Sequence, residues 1–506
     1  MSIATASDVE IAPAPARPLA KPLLLAAGCA ALADWLFYGW DVGISLALFL
    51  AVLGIAGVAG NGVQATGKIR TVMTAIFVAG LLPLIEHVNP LSVLLGSLAT
   101  ALFVLVMTAD ARPSWPWQLF DAVTVPLRGP VRFAGDLFAA LRHLKVWTPG
   151  WLGSLVAWIV PLGISALFLS LMSSANPLIE QRLMQIDLRV LFRHFELSRT
   201  LYWLLIACII WPLLYRRIKP RKVRQAEPEV ATAEPAGPDH LLGVQAMTRS
   251  LILFNLLFAL QSALDLVYLW GGATLPDGMT YAHYSHRGAY PLIATALLAA
   301  GFALIAMREG GPAEQSRLIR PLVLAWIGQN VLLVISSIFR LDLYVAAYSL
   351  TYLRLAAFIW MLVVAIGLCL MLIQIVKRKP ITWLVAANAM ALALVLYGCC
   401  FINAPRVVAA YNVAHSREAG GAGLWLDKDY LRSLGPEILP VIEQRLQQIP
   451  ALQSTATLLR AGLTICEARR RRAQNWRAMD FRTWRLQRYL ANNPDIAQKP
   501  LDGDKG

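Results

Sequence analysis

The sequence predicts an all-α membrane protein, a polytopic bundle of transmembrane helices with a small helical extramembrane domain at its C-terminal end. Hydrophobic residues make up 58% of the 506 residues and charged residues only 15%, whereas a soluble domain carries about 45–50% and about 25%. The apolar residues are also concentrated in long blocks. Such a small share of polar residues cannot cover a surface that is exposed to water. The excess apolar surface must therefore face lipid.

The apolar blocks set the predicted number of spans. A helix that crosses a bilayer core about 30 Å thick needs roughly 20 apolar residues, because its backbone polar groups must all pair internally. About eleven blocks meet this criterion, although the third and the sixth are short. Their predicted limits are Pro22–Tyr38, Val42–Ala59, Thr71–Ile85, Leu91–Ala109, Trp151–Ser173, Leu201–Tyr215, Met247–Trp270, Tyr290–Met307, Pro321–Phe339, Leu353–Val376 and Ile381–Ile402.

The distribution of Lys and Arg predicts the orientation. Basic residues gather on alternate connections, with the strongest clusters at Arg216–Arg224 and Lys377–Lys379. Cytoplasmic loops carry such an excess of positive charge. We therefore predict a cytoplasmic N-terminus and, with an odd number of spans, an extracytoplasmic C-terminal domain. One span more or fewer would place that domain on the other side.

These observations divide the chain into five segments. Residues 1–21 form a cytoplasmic tail, 22–215 a first block of about six spans with interfacial helices, and 216–246 a basic, then Pro-, Ala- and Glu-rich cytoplasmic linker. Residues 247–402 form a second block of about five spans, and 403–506 a helical extracytoplasmic domain.

Two local patterns add helices outside the spans. An amphipathic stretch around Val131–Leu144 predicts a helix lying on the cytoplasmic interface. In the C-terminal domain, a longer helical stretch is predicted from about Gln453 to Leu490.

A polar pocket near the extracytoplasmic face is the main candidate site. Gln261 and Asp265 lie four residues apart and therefore share a helix face. An ionised carboxylate facing lipid would be costly, so this face should point into the bundle or a wet cavity. A structural hydrogen bond between the two side chains is the alternative interpretation. The predicted pocket residues are Gln261, Asp265, Tyr281, Tyr284, Arg287, Arg340 and Asp342.

A second candidate site is a basic and aromatic stretch near the C-terminus. Arg side chains interleaved with Trp and Tyr are typical of helices that contact anionic lipid headgroups at an interface. The candidate headgroup contacts are Arg470, Trp476, Arg482 and Trp484. The alternative is a solvated helix whose aromatic rings pack onto the rest of the C-terminal domain.

The sequence contains none of the common catalytic motifs, neither a phosphate-binding Gly-Lys-Ser/Thr loop nor His-Glu-x-x-His nor Gly-x-Ser-x-Gly. No catalytic residue, metal or cofactor is therefore predicted, since His283 and His286 lack an evident third ligand. The net charge of +15 is explained by cytoplasmic loops, so no nucleic-acid partner is expected. The expected partners are the lipid bilayer, anionic lipid headgroups and other envelope proteins that contact the C-terminal domain.

One motif string resembles a known family. Gln261 is followed by Tyr268-Leu269, Gly271-Gly272 and a Thr-Tyr-Ala-x-Tyr-x-x-Arg-Gly loop. This string is similar to the bacterial multi-pass membrane family catalogued as domain of unknown function 4173, which is related to 4153. The resemblance covers about Phe254 to Tyr489 and implies a membrane location with this topology, but no activity. This chain departs from the family at His283, where an acidic residue is usual.

Three functions are compatible with these features. The first is a non-enzymatic scaffold or sensor of the bacterial inner membrane, with the C-terminal domain as its interaction module. The second is a transporter or lipid translocator that uses the polar pocket. The third is a membrane-embedded transferase that acts on a lipid-linked substrate.

Overall fold

The computed structural model describes residues 19–109, 115–143, 197–216, 244–267, 317–421, 423–446, 448–460 and 476–494, with a few single positions besides. Throughout these ranges the regular structure is helical, and no strand occurs in them. Eight of the described helices are long and apolar enough to cross a membrane. The prediction of an all-α polytopic helix bundle is therefore confirmed. Spans predicted at Trp151–Ser173 and Tyr290–Met307 lie largely outside the described residues.

The chain divides into two compact units. The first contains Met1–Arg221 together with Asn475–Asp480, and the second contains Lys222–Gln474 together with Phe481–Gly506. The described helices of the first unit are α1 (Ala20–Phe37), α2 (Ile44–Asn61), α3 (Gly67–Glu86), α4 (Pro90–Met107), α5 (Trp115–His143) and α6 (Leu197–Leu214).

Hydrogen bonds at the two ends of the first unit show how its helices alternate. At one end, Asp34 of α1 accepts from Arg199 of α6, with Nε at 2.8 Å from Oδ1. At the opposite end, Asn61 of α2 donates to the carbonyl of Leu213 in α6 at 2.7 Å. The guanidinium of Arg216 there donates to the carbonyl of Leu105 in α4 at 2.9 Å. Helix α6 therefore begins beside the end of α1 and finishes beside the ends of α2 and α4.

A short segment from the far C-terminal part of the chain, residues 476–480, docks onto the first unit. The amide of Ile44 donates to the carbonyl of Met479 at 2.7 Å. The hydroxyl of Ser45 donates to the carbonyl of Arg477 at 2.8 Å, although these residues are 432 positions apart. We call residues 476–480 the docking segment.

The side chains of the docking segment contact the same end of the bundle. The Arg477 guanidinium lies 4.3 Å from the ring centroid of Trp35 and 5.2 Å from that of Trp40, within the range of cation–π attraction. The Asp480 carboxylate lies 2.9 Å from Nδ1 of His87. The segment thus meets the connections that join α1 to α2 and α3 to α4.

Helix α5 is longer than the amphipathic helix that the sequence predicts. It begins at Trp115 rather than near Val131 and packs against α6. The packing depends on Gly129, because a Cβ at that position would lie 2.2 Å from the carbonyl oxygen of Cys208. Asp136 then accepts a hydrogen bond from the indole of Trp211 at 2.9 Å.

Substituting Gly129 by Ala should therefore push α5 away from α6 and lower the thermal stability of the detergent-purified protein. The matched control is Gly135→Ala in the same helix, where a Cβ meets nothing within 4 Å. Replacing that Gly in a helix interior should be neutral or stabilise by about 0.5–1 kcal/mol. The melting temperature should fall in Gly129→Ala and stay unchanged or rise in Gly135→Ala. Equal shifts would show that the close approach at Gly129 does not matter.

The second unit contains four long helices and a compact C-terminal region. Its described helices are α7 (Val244–Asp265), α8 (Ile319–Tyr348), α9 (Tyr352–Val376), α10 (Ile381–Cys399), α11 (Ala404–His415), α12 (Lys428–Ser433), α13 (Leu439–Arg445) and α14 (Phe481–Asn492). The linker predicted at 216–246 ends slightly earlier than expected, because α7 already begins at Val244.

The helical stretch predicted from about Gln453 to Leu490 is interrupted at residues 479–480. The structure has helical residues at 453–460, a short 3-10 helix at Trp476–Ala478 and a break at residues 479–480 before α14 begins. The break is explained by the docking segment, whose backbone groups bond to α2 instead of continuing a helix.

Helices α7 and α8 run parallel. The amide of Asn255 in α7 donates to the carbonyl of Leu322 near the start of α8 at 3.1 Å. Asp265, at the end of α7, meets Arg340 far along α8.

Helix α8 is longer than the span predicted at Pro321–Phe339. It has 30 residues, which corresponds to about 45 Å at 1.5 Å per residue, whereas the bilayer core is about 30 Å thick. Leu341 and Val345 in its last turns pack against the core of the C-terminal region. The helix therefore continues beyond the membrane and becomes part of the extramembrane domain.

One asparagine secures the corner after α8. Asn412 of α11 accepts from the amide of Leu350 at 2.7 Å and donates to the carbonyl of the same residue at 2.9 Å. Both groups are buried, so the backbone polar groups at this turn are satisfied by the C-terminal domain.

Candidate functional site

Three of the polar side chains predicted for the membrane pocket are in contact with one another. Arg340 of α8 donates to the carboxylate of Asp265 in α7, and the two side chains are only 6% and 2% exposed. The Gln261 amide donates to the same carboxylate oxygen at 3.0 Å. Gln261, Asp265 and Arg340 therefore form one cluster inside the second unit.

The length of α8 fixes the depth of this cluster. Near the start of α8, the Arg320 guanidinium donates to the carbonyl of Ile375 at 2.7 Å. Arg340 comes 20 residues after Arg320, about 30 Å along the helix axis. If Arg320 lies at one membrane surface, Arg340 lies close to the other. The cluster thus belongs to the end of the spans that carries the C-terminal domain.

Of the other predicted pocket residues, Asp342 is described, and it is not brought into this cluster. Asp342 is exposed, because two residues on a helix place it on the opposite side from Arg340. Burial of Tyr411 in the C-terminal domain raises the pKa of its hydroxyl, and the Asp342 carboxylate adds a smaller rise. Tyr281, Tyr284 and Arg287 lie outside the described residues.

Arg354, at the start of α9, organises the neighbouring corner. Its guanidinium donates to the carbonyls of Tyr348 and Ser349 and lies 4.5 Å from the ring centroid of Tyr344. The rings of Tyr344 and Tyr348 are 4.8 Å apart. The structure thus places both tyrosines in a cation–aromatic cluster.

A cleft in the C-terminal domain was not anticipated from the sequence. Its volume is about 710 Å³, which is within the range of small-molecule sites. It is bounded by the end of α10, the start of α11, the region around α13, and α14. Its lining residues are Phe401, Asn403, Arg406, Glu437, Pro440, Glu443, Gln444, Arg482, Arg485, Leu486, Tyr489 and Asn493.

Both carboxylates of this cleft are already engaged. Glu443 accepts from Nη2 of Arg460 at 2.5 Å, and both side chains are largely buried. Glu437 accepts from the Asn403 amide at 2.9 Å and lies 3.8 Å from Nη1 of Arg482. The acidic groups therefore act as structural partners of arginines, and the lining as a whole remains basic.

The hydroxyl of Tyr489 adds a neutral donor to the cleft. Burial, with a smaller contribution from Glu443, raises the pKa of this phenol, while Arg406 and Arg460 oppose the rise. The group is therefore un-ionised at neutral pH and can donate a hydrogen bond.

The residues predicted to contact lipid headgroups have different surroundings. Arg482 is only 7% exposed, and its guanidinium donates to the carbonyl of Ile402 at 3.2 Å, so it braces α14 against the end of α10. Trp484 is exposed and stacks on Phe481 at 5.3 Å. Trp476 is exposed too and lies 5.9 Å from Trp35. Arg470 lies outside the described residues.

No group of three or more His, Cys, Asp or Glu side chains in the described ranges is arranged to hold a metal ion. His283 and His286, the pair considered from the sequence, fall outside those ranges.

The fold defines a multi-pass helical membrane protein whose last spans carry an extramembrane helical domain. The model of one family, described as a domain of unknown function (DUF4153), matches residues 72–444. This is well over half of the chain, so the protein belongs to that family. Comparison with curated proteins and with solved structures gave no match.

The family match differs in extent from the resemblance found in the sequence. It begins at Val72, in α3, and so includes helices of the first unit in which no motif was recognised. It ends at Gln444, before the Trp484-Arg485-Leu486 element. Membership of the 4153 family is confirmed, and the relation to domain 4173 stays a prediction.

Proposed function

We propose that this protein is a non-enzymatic scaffold or sensor of the bacterial inner membrane, with its C-terminal domain as the interaction module. In this proposal the N-terminus is cytoplasmic and the C-terminal domain lies outside the cytoplasm. The orientation is supported by Arg320, at the start of α8, and by Lys377–Lys379, just after the end of α9. These basic residues lie together on the side of the two helices that is opposite the C-terminal domain, and cytoplasmic loops favour such residues.

One observation carries the proposal: the domain that holds the cleft is built directly on the spans. Leu341 and Val345 of α8 belong to the same apolar core as α11 and α13. A partner that shifts this domain therefore also shifts the end of α8. Packed side chains and rigid secondary-structure elements of this kind can carry energetic coupling between a binding site and a distant element.

The membrane cluster fits a structural role in this proposal. Asp265 and Arg340 neutralise one another, and Gln261 adds a hydrogen bond. Charged residues in spans are commonly paired in this way where they hold helices together. The transporter and transferase hypotheses would instead require these side chains to act on a substrate.

Complementation of a deletion strain tests the proposal. We expect a double variant with Asp265→Leu and Arg340→Met to accumulate and to restore the envelope phenotype, because no step of the function uses these charges. Arg406→Glu in the cleft should accumulate normally and fail to complement. Arg432→Glu is the matched control, since that Arg is half-exposed in the same domain and outside the cleft.

Two results would contradict the scaffold proposal. A double variant at Asp265 and Arg340 that accumulates normally but is inactive would favour the transporter or the transferase. An Arg406→Glu variant that complements fully would remove the cleft from the interaction module.

A further inference from the structure

We infer that the cleft of the C-terminal domain binds the phosphate group of an anionic lipid headgroup at the membrane surface. This inference deepens the proposed function, because it names the ligand class of the same interaction module. It rests on the charge of the lining, on the position of the cleft relative to α10, and on the exposed face of α14.

The charge of the lining favours an anion. Three arginines line the cleft, namely Arg406, Arg482 and Arg485. Of the two glutamates, Glu443 is paired with Arg460 outside the lining set, and Glu437 with Asn403 and Arg482. The pairing of both carboxylates leaves a positive surplus in the cleft. Arg guanidinium groups bind phosphate through charge-assisted hydrogen bonds that can be bidentate.

Among the lining side chains, Arg406 is the one most clearly available to donate hydrogen bonds to a ligand. It is exposed at the start of α11 and lines the cleft. Within the part of the chain that the structure describes, its guanidinium has no hydrogen bond or ion-pair partner. Its own backbone amide is held by the capping Asn403 at 3.0 Å, so the helix end that carries it is fixed. A bound phosphate would therefore meet a donor on a rigid support.

The position of the cleft points to a lipid rather than a free solute. Phe401 lines the cleft and comes directly after α10, which ends at Cys399 and is long and apolar enough to span the membrane. Phe401 and the adjacent Ile402 are both exposed, at 41% and 43%. The side of the cleft formed by Phe401 therefore lies where a span leaves the bilayer, at the level of the headgroups.

Helix α14 offers a matching exposed face. Phe481, Trp484, Arg485 and Arg488 follow the i, i+3, i+4, i+7 spacing of one helix side, and all four are exposed. Arg485 lies 4.9 Å from the Phe481 ring and Arg488 lies 5.2 Å from the Trp484 ring. Aromatic rings with adjacent cations are typical of helices that rest at a membrane interface. Because Arg485 also lines the cleft, the same helix presents this face and closes one wall.

The lining can accommodate both parts of such a ligand. Arg406, Arg485 and the Tyr489 hydroxyl supply donors for phosphate oxygens, and Asn493 adds an amide. Phe401, Pro440 and Leu486 supply apolar surface for the glycerol and the first carbons of the chains. A phosphate diester with a neutral headgroup, such as phosphatidylglycerol, combines these features.

Ligand-induced thermal stabilisation of the full chain, purified in a neutral maltoside detergent, tests the inference. The probes are short-chain phosphatidylglycerol, the corresponding short-chain diacylglycerol, which lacks the phosphate, and inorganic phosphate. We expect phosphatidylglycerol to raise the melting temperature with saturation and diacylglycerol to leave it unchanged. Inorganic phosphate that reproduces the stabilisation would show that a free anion suffices, and no effect of phosphate would show that the lipid is required.

Variants of two arginines of the C-terminal domain make the test specific. Arg406→Gln should weaken the apparent affinity about tenfold or more, because it removes a charged hydrogen-bond donor, and Arg406→Lys should weaken it less. Arg432→Gln is the matched control, since that Arg is exposed in the same domain and lies neither in the cleft nor on α14. This control should bind within about twofold of the unchanged protein.

Two outcomes would overturn the inference. If Arg406→Gln binds phosphatidylglycerol with the same affinity as the unchanged protein, the cleft is not the binding site. Equal losses in Arg406→Gln and Arg432→Gln would mean general attraction to a basic surface. The scaffold proposal fails separately: it fails if Arg406→Glu complements fully, even where lipid binding in vitro depends on Arg406.

Discussion

Removing one partner of the buried pair between Asp265 and Arg340 should destabilise the protein strongly, and removing both should restore much of the loss. Asp265→Leu leaves a buried guanidinium, and Arg340→Met leaves a buried carboxylate, since both side chains are almost fully enclosed. An uncompensated buried charge costs about 3–5 kcal/mol, whereas an apolar replacement of the whole pair is often neutral or stabilising.

Thermal unfolding of the purified variants, with protein accumulation as a second readout, measures this effect. The double variant should be more stable than either single variant, which gives a coupling energy in a double-mutant cycle. Asp342→Leu is the control in the same helix, because that carboxylate is exposed, and surface substitutions usually change stability by less than about 0.5 kcal/mol. Additive losses in the double variant would refute the description of Asp265 and Arg340 as one structural unit.

Replacing Asn412 by Leu should release the C-terminal domain from the corner between α8 and α9. The substitution removes the partner of both the amide and the carbonyl of Leu350, and both contacts are buried. Each unsatisfied buried group costs about 1–3 kcal/mol, so the two together cost about 2–6 kcal/mol. The spans themselves should stay folded, because their own apolar core does not include Asn412.

Hydrogen exchange at Leu350 and limited proteolysis of the domain report this release. Both should become much faster in Asn412→Leu, and helices α9 and α10 should keep their protection. Gln453→Leu is the matched control, because it also exchanges an amide for an isobutyl group but at an exposed position of the same domain. Unchanged exchange at Leu350 in the Asn412 variant would show that the corner is held by other contacts.

Apolar block length predicts most of the described membrane helices, because the requirement to pair every backbone group within lipid acts on each helix by itself. It fails at the end of α8. The span predicted from the sequence ends at Phe339, yet the helix continues to Tyr348. Outside the bilayer a helix needs only one apolar side, and Leu341 and Val345 supply it against the C-terminal core.

The candidate sites differ in how far the sequence predicts them. Gln261 and Asp265 are neighbours through helix periodicity, so their contact follows from local spacing. Arg340 is distant in the chain, and its proximity to Asp265 depends on the parallel packing of α7 and α8. The cleft around Arg406 collects residues from segments scattered between residues 401 and 493. Local sequence periodicity does not predict that these segments come together.

The docking segment has a consequence for biogenesis. Residues 476–480 are synthesised long after α1–α4 have been inserted, yet they occupy the surface formed by Trp35, Trp40 and Ser45. At Gly43 the backbones come so close that a Cβ would lie 2.4 Å from a backbone carbon of that segment. Helices α1 and α2 therefore reach their final surface only after a segment that bonds to Ser45 across 432 positions of chain has been synthesised, so the first unit matures late.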